Sequence, residues 1–239
     1  MSELTSLIRD VAVANRILAR EGVVDAFGHV SVRHPEQEKR YILSRSRSPE
    51  LVTRSDLIEY EIDGTPADPA ETRSGYIERP IHGAIYEARP DVHAIVHNHS
   101  HAVIPFAVTA TPLRPILHVA GGIGASIPVW DIRDGFGDTD LLVTTMEQGR
   151  DLAAKLGDVS VALMRGHGCV VAAPTLKQAV STAIYLQVNA ALLLDALKLG
   201  RVTYLSPGEV EAAAAMTALP VPQERTWEYW SARADIDGI

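Results

Sequence analysis

Apolar side chains recur at helical spacing near the start of the chain and again in its middle. Residues 4–21 place Leu, Ile, Val and Ala on one stripe and end at Gly22, which predicts an amphipathic helix with a glycine stop. Residues 78–88 repeat the spacing, and Pro80 is tolerated there because it falls in the first turn. The same pattern predicts helices at 146–156 and 174–199, and one of about eight residues from His101.

Short apolar or alternating runs between these helices are typical of β-strands. They lie at residues 27–33, 41–43, 57–62, 92–96, 127–129, 159–164 and 169–172. A β-rich first third followed by strands that alternate with helices predicts an α/β fold with one sheet covered by helices. Ser206-Pro207-Gly208-Glu209 has the residues of a helix cap. We therefore expect one domain over residues 1–239, with a helical tail from about 206.

The amino-acid composition is typical of a soluble globular protein. The 239 residues are 46% apolar and 22% charged, as in an ordinary soluble globular chain, and a chain of this length buries about 70% of its surface without disulfides. A single cysteine, Cys169, and a start without a secretory pattern predict a cytoplasmic location. Asp195 and Lys198 interrupt the most apolar helix, so no membrane span is predicted.

The net charge disfavours two classes of partner, nucleic acid and anionic lipid. Lys and Arg total 22 against 30 Asp and Glu, a net charge of −8. Such a surface disfavours nucleic acid and anionic lipid. The expected partner is a small molecule, and an anionic one would need a local basic site.

Histidines are concentrated near the middle of the chain. His97 and His99 follow the strand at 92–96, and residues two apart in a strand project from the same face. His167 lies between two glycines, where the backbone can approach a neighbour closely. Three neutral imidazoles leave coordination positions free, as in a catalytic metal site. The alternative is that these are surface or hydrogen-bonded histidines that are close only in sequence.

Other candidate residues also have two interpretations. Glu78 begins a helix, where the helix dipole favours a carboxylate, so it is either a first-turn acid or a catalytic group near the metal. His82 follows four residues later and is expected to make a structural hydrogen bond. Residues 44–49, Ser-Arg-Ser-Arg-Ser-Pro, form either an anion cradle or a solvated basic loop. Cys169 is expected to fill a small apolar position rather than to act as a nucleophile.

Several motifs in order resemble the class II aldolase/adducin family. They are Glu78-x-x-x-His82, Arg89-Pro90-Asp91-Val92, His97-Asn98-His99 and Arg165-Gly166-His167-Gly168. The resemblance runs from about Leu7 to Leu197. It implies a three-layer α/β/α fold with a central, largely antiparallel sheet, and a homotetramer with active sites between subunits. It also implies that Glu78 is the acid/base residue and that His97, His99 and His167 bind one divalent ion per subunit, either zinc, manganese or iron.

Two segments differ from the sugar-phosphate aldolases of that family. Those enzymes usually have Gly-Asn-x-Ser where this chain has Gly28-His29-Val30-Ser31, and a Ser-Gly phosphate loop where it has Ser46-Arg47-Ser48-Pro49. These segments, residues 78–83 and the late Trp227-Glu228-Tyr229-Trp230 instead resemble a decarboxylase branch. That branch includes 3-hydroxy-2-methylpyridine-4,5-dicarboxylate and dihydroxyphthalate decarboxylases.

The resemblance therefore implies a metal-dependent decarboxylase of a hydroxylated aromatic or pyridine carboxylate in a catabolic pathway. The substrate-binding residues it implies are His29, Ser31, Ser46, Arg47 and Ser48. The alternatives are an aldolase that cleaves a hydroxy acid or a sugar phosphate, and a non-enzymatic scaffold, which we would expect to lack the metal ligands.

The C-terminal aromatic residues are expected either to close a site near a subunit boundary or to pack on their own domain.

Overall fold

A single sheet of seven strands forms the centre of the part of the chain that the computed structural model describes, residues 3–234 and 238–239. The strands are β1 (His29–Arg33), β2 (Arg40–Ser44), β3 (Leu57–Glu61), β4 (Ala94–Asn98), β5 (Val129–Trp130), β6 (Val161–Met164) and β7 (Gly168–Ala173). Their order is β3-β2-β1-β4-β7-β6-β5. Every neighbouring pair is antiparallel except β5 and β6. The largely antiparallel sheet is therefore confirmed.

Helices cover both faces of this sheet. They are α1 (Glu3–Arg20), α2 (Arg79–Ala88), α3 (Ile104–Ala107), α4 (Ile132–Phe136), α5 (Met146–Leu156), α6 (Leu176–Leu199), α7 (Pro207–Thr217) and α8 (Pro220–Arg233). Short 3-10 turns lie at Pro49–Leu51, Arg54–Asp56 and His118–Ile123.

The sheet separates two apolar cores. Successive side chains of a strand point to opposite faces, and in β4 Val96 joins one core while Ile95 joins the other. The first core receives side chains from α1, α3, α6 and α8, and the second from α2, α4 and α5. This is the predicted α/β/α arrangement. His97 shares its face of β4 with Ile95, so it points towards the layer that contains α2.

Helix α6 has the most apolar sequence of the fold. Among the described residues it is the one helix that by length and composition could cross a membrane, yet 44% of its most apolar window is buried inside the fold. Its buried Asn189 accepts a hydrogen bond from the backbone of Ile116 and donates one to the carbonyl of Arg114. The polar contact and the packing against the sheet are those of a core helix.

Two helix predictions needed correction. The helix expected from His101 begins only at Ile104, because Pro105 has no backbone N–H and fits only the first turn, and the helix ends at Ala107. Helix α4 was not predicted, and it is short enough to depend on Asp131, whose side chain accepts from the backbone of Arg133.

The predicted cap at Ser206 is present as a capping box with Glu209. That the whole chain is one domain stays a prediction.

The C-terminal aromatic residues divide between core and surface. Trp230 is 4% exposed, belongs to the first core and has its ring 5.8 Å from that of Tyr185 on α6. Tyr229, its neighbour on α8, is 55% exposed. Of the two predicted roles, packing on its own domain is the one that Trp230 fulfils.

We expect Trp230→Ala to lower the free energy of unfolding by about 3–5 kcal/mol, the range for removing a buried aromatic side chain. Tyr229→Ala on the same helix is the matched control and should stay within about 0.5 kcal/mol of the wild type. Urea unfolding followed by far-UV circular dichroism measures both. Equal effects of the two substitutions would contradict the packing role of Trp230.

Candidate active site

The strand order brings the three predicted ligand histidines to one end of the sheet. His97 lies near the end of β4, and His99 follows just beyond that strand. β7 pairs with β4 so that Val170 is opposite His97, and the β6–β7 turn carries His167 to the same end. Histidines separated by 68 residues in sequence therefore meet.

The ring nitrogens of these histidines converge on one point. His99 Nε2 lies 3.1 Å from His97 Nε2 and 3.0 Å from His167 Nε2. Glu78 Oε2 lies 3.5 Å from both His97 Nε2 and His167 Nε2. These four ligand atoms all lie within 4.8 Å of one another. Three nitrogens and one carboxylate oxygen thus form a compact cluster.

Backbone carbonyls orient two of the imidazoles. His97 Nδ1 is 3.1 Å from the carbonyl of Cys169, and His167 Nδ1 is 2.9 Å from the carbonyl of Leu141. Because a carbonyl only accepts, both rings carry their proton on Nδ1 and turn the lone pair of Nε2 towards the cluster. Leu141 has φ of 69°, the one positive φ among the described non-glycine residues. We attribute this backbone strain to the placement of the carbonyl that holds His167.

Glycine is required on one side of His167. A Cβ atom at Gly168 would lie 2.1 Å from the carbonyl oxygen of Asn98 and 3.0 Å from His99 Cδ2. On the other side Gly166 has φ of 66°, which favours glycine. The predicted close approach of backbone at this turn is therefore present.

Glu78 occupies the N-cap position of α2, but its side chain does not cap the helix. It precedes α2, but its side chain makes no capping hydrogen bond, and Oε1 instead accepts from the backbone N–H of Val143 at 3.0 Å. Burial opposes ionisation, but when His167 or His97 is protonated on Nε2, its hydrogen bond and charge hold the pKa of Glu78 well below its ordinary value. Glu78 is therefore a carboxylate held beside the three imidazoles, which favours the second of its two predicted roles.

The donor set fits a divalent metal ion. Ligand bonds of about 2.0–2.1 Å in a tetrahedral zinc site imply separations between ligand atoms of roughly 3.3 Å, close to the distances found here. Lone pairs directed at one another repel unless a cation lies between them. Burial, together with the charges of His97 and His167, lowers the pKa of His99 to about 4, which keeps its ring neutral and able to ligate. His97, His99 and His167 would hold the ion, and Glu78 would lie beside it.

The predicted anion cradle is built around an acid. Asp56 is 4% exposed and accepts from Arg45 Nε at 2.6 Å and from Arg47 Nη1 at 2.7 Å. Burial opposes its ionisation, but hydrogen bonds from Thr53, Arg45 and Arg47 hold the pKa of Asp56 well below the ordinary value. One carboxylate against two guanidiniums leaves one net positive charge. Arg47 keeps the remaining nitrogens of its guanidinium for a ligand.

The two serines of this loop have different positions. The backbone N–H of Ser46 is already bonded to the carbonyl of Ser74, so it is not free to bind an anion, although the side chain is exposed. Ser48 begins the turn at Pro49–Leu51, and its hydroxyl is 3.5 Å from the carbonyl of Asp25. Of these two serines, Ser46 therefore offers a ligand its side chain but not its backbone amide.

A half-buried aromatic residue, Tyr76, connects this loop to the cluster. The hydroxyl of Tyr76 donates to the backbone carbonyl of Arg47. Its ring centroid is 4.6 Å from that of His29, which in turn is 5.0 Å from that of His97. We had not predicted a role for Tyr76, and only its position two residues before Glu78 hints at one. His29 thus lies between the basic loop and the candidate metal ligands.

Ser31 does not lie at the surface of the site. It is fully buried, and its hydroxyl is bonded to His82 Nδ1 at 2.6 Å and to the hydroxyl of Tyr86 at 2.8 Å. The prediction that Ser31 contacts a substrate is therefore corrected, because both of its partners are internal. His82 makes the structural hydrogen bonds expected of it, to Ser31 and, at 2.6 Å, to His29 Nδ1.

Apolar surface and a cavity adjoin the cluster. Phe27 is 66% exposed, with its ring centroid 6.3 Å from that of His99, and Ile77 beside Glu78 is 60% exposed. A cavity of about 330 Å³ has His99 and Asp25 in its wall. A larger cavity, of about 470 Å³, lies between α6, α7 and α8, and none of the predicted site residues lines it. The candidate metal ligands and the larger cavity therefore lie in different parts of the molecule.

Cys169 belongs to the core. Its thiol donates to Asn98 Oδ1 at 3.3 Å, and burial raises its pKa to about 12. A thiol of that pKa is not a nucleophile at neutral pH. The expected apolar role of Cys169 is confirmed.

Comparison with known proteins shows the family to which the chain belongs. Residues 9–194 match the family described as class II aldolase and adducin N-terminal domain, and the chain belongs to this family. It is 34% identical over 93% of its length to decarboxylase tropJ of Talaromyces stipitatus, of which it covers 92%. It is 31% identical over 80% of its length to a 3,4-dihydroxyphthalate decarboxylase of Arthrobacter keyseri, of which it covers 78%.

Solved structures agree on the fold. An aldolase II superfamily protein from Pseudomonas syringae matches 99% of this chain and 96% of its own with a TM-score of 0.80, at 22% identity. At that identity the match shows a common fold, and the chemistry has to be argued from the site.

Proposed function

We propose that the protein is a metal-dependent carboxy-lyase that releases carbon dioxide from an aromatic or pyridine carboxylate carrying a neighbouring hydroxyl group. What carries the proposal is that the complete set of Glu78, His97, His99 and His167 occurs in a chain whose curated relatives include a decarboxylase 34% identical to it. We propose zinc, manganese or iron as the ion, one per subunit, because imidazole and carboxylate ligands suit all three. When bound, the ion supplies Lewis-acid stabilisation of negative charge on the ring oxygen.

Glu78 is the group that moves the proton. As a carboxylate it accepts the proton of the substrate hydroxyl at Oε2, while Oε1 stays bonded to Val143. The bond between the ring and the carboxylate carbon then breaks, and its electron pair stays with the ring as carbon dioxide leaves. Glu78 returns its proton to that ring carbon, where a C–H bond forms. The product phenolate takes up one proton from water.

His29 and Arg47 recognise the acid. A guanidinium binds a planar carboxylate through two parallel hydrogen bonds. Asp56 occupies Nη1 of Arg47 and fixes the direction of the guanidinium, so that one positive charge of the loop remains for the substrate. The exposed side chains of Phe27 and Ile77 provide apolar surface for a ring.

We also propose a cytoplasmic homotetramer. Helix α6 presents Val188 and Leu192 to the surface, at 36% and 44% exposure, and Leu199 at 91%. Apolar side chains grouped on one helix favour a contact with another subunit. Light scattering of the purified protein tests the assembly, and an active monomer would exclude it.

The decisive experiment for this function is a product screen. Purified, metal-loaded enzyme is offered hydroxylated ring mono- and dicarboxylates in one series and phosphorylated sugars in the other. We expect carbon dioxide from a ring acid and no aldehyde from any sugar. Aldehyde formation without carbon dioxide from any acid would establish the aldolase alternative instead.

Arg47→Lys should reduce kcat/KM by roughly tenfold or more, because the ammonium keeps the charge but loses the planar pair of donors. Metal content should not change. The matched control is Arg54→Lys, the same substitution at an exposed position nearby, which should keep the activity of the wild type. Steady-state kinetics and elemental analysis decide the result. Equal kinetics for the two variants would remove Arg47 from the site.

A further inference from the structure

We propose that a chain of buried hydrogen bonds fixes His29 as a neutral donor whose proton lies on Nε2, facing the substrate. The chain runs from Tyr86 through Ser31 to His82 and ends at His29 Nδ1. Its links are 2.8, 2.6 and 2.6 Å long. Ser31, His82 and Tyr86 are then positioning residues, which act on the substrate only through His29.

The direction of the chain is set at its inner end. Tyr86 is 2% exposed, and among the described residues its hydroxyl has one hydrogen-bond partner, the hydroxyl of Ser31. Because a buried O–H that finds no acceptor costs free energy comparable to a lost hydrogen bond, Tyr86 donates to Ser31. Ser31 must then give its own hydrogen to His82 Nδ1.

The hydrogen bond from Ser31 fixes which nitrogen of His82 carries the proton. With Nδ1 accepting, neutral His82 carries its proton on Nε2 and donates to His29 Nδ1. Neutral His29 therefore carries its proton on Nε2. The opposite order would leave the hydroxyl of Tyr86 without an acceptor in the core. Burial lowers the pKa of His82 to about 3, so the ring stays neutral.

This order determines what His29 can bind. Nε2 has no hydrogen-bond partner among the described residues, and its N–H faces the side of the ring away from His82. An ionised carboxylate is an acceptor only and pairs with such a donor. That ligand rests on the proposed function, whereas the order of the chain does not. His29 thus selects an acceptor-only group beside the metal ligands.

Solid-state NMR of zinc-loaded protein with ¹⁵N-labelled histidine rings tests the order directly, because a protonated ring nitrogen and a bare one resonate far apart. The spectrum of His29→Gln assigns the His29 signals. We expect Nε2 protonated and Nδ1 bare in the wild type. The reverse assignment would overturn the proposal.

Two variants that each remove one hydroxyl sharpen the test. Ser31→Ala withdraws the donor to His82, so His29 should become a mixture of both tautomers, and kcat/KM should fall roughly two- to tenfold, mainly through KM. Tyr86→Phe removes the hydroxyl that sets the direction of the Ser31 hydroxyl, so the Nε2–H tautomer of His29 should lose part of its population, but less than in Ser31→Ala. A fixed Nε2–H tautomer in Ser31→Ala would show that the chain does not set it.

The outcomes separate this inference from the proposed function. If no ring acid releases carbon dioxide but His29 carries its proton on Nε2, the proposed reaction fails and the chain stands. An active decarboxylase in which His29 carries its proton on Nδ1 overturns the chain alone.

Discussion

Alanine in place of His97, His99 or His167 is expected to remove the bound ion and to lower turnover by at least about three orders of magnitude, since a metal ion supplies several kcal/mol of transition-state stabilisation. The three Nε2 atoms lie 3.0 and 3.1 Å apart in succession, so loss of one leaves only two imidazoles and Glu78 around the ion. Elemental analysis of each purified variant and the carbon dioxide assay give the two readouts.

His93→Ala is the control for these substitutions. His93 lies in the same segment of sequence but is exposed, and its loss should change neither metal content nor turnover. Full metal occupancy in all three ligand variants would exclude the proposed centre. Activity restored by added metal in a variant of reduced occupancy would instead support it, because the ion then binds the remaining donors more weakly.

Glu78→Gln should keep the fold and lower kcat by about two to four orders of magnitude, the usual contribution of a general acid or base. An amide oxygen can still accept from the backbone of Val143, so the segment that holds Leu141 should stay in place. What the amide lacks is the ability to take up and return a proton. Steady-state kinetics and the thermal unfolding midpoint measure the two effects separately.

Glu87→Gln provides the comparison on the same helix. Glu87 is paired with Arg150 at the surface, and its replacement should leave kcat unchanged. A Glu78→Gln enzyme of nearly normal kcat would remove Glu78 from the mechanism. A large loss of stability in that variant, with kcat retained in the folded fraction, would assign Glu78 a structural role.

Several features of the site follow from the sequence because they depend on local geometry. Strand periodicity places His97 and His99 on one side, and the glycines around His167 mark a turn in which the backbone comes close to a neighbour. The helix that begins after Glu78 and the capping box at Ser206 are also set by residues within one turn. Single-residue preferences act over such distances without help from the rest of the chain.

Other features needed the packed fold. Pro105 delays the start of the predicted helix to Ile104. The basic loop is bonded to an internal acid, Asp56, eleven residues from Arg45. No sequence pattern indicates that the carbonyl of Leu141 orients His167, or that the buried hydroxyl of Ser31 is hydrogen-bonded to His82. These contacts join segments 26 to 51 residues apart.

The sequence by itself determined the layers of the fold, the family resemblance and which side chains are the candidates for metal binding, because periodicity and motif are properties of the chain. Only the tertiary structure decided that four donors lie within 4.8 Å of one another, that Glu78 is bonded to Val143 rather than to its own helix, and which hydroxyls are internal. The physical reason is that strand pairing between β4 and β7 fixes positions in space that no local preference encodes.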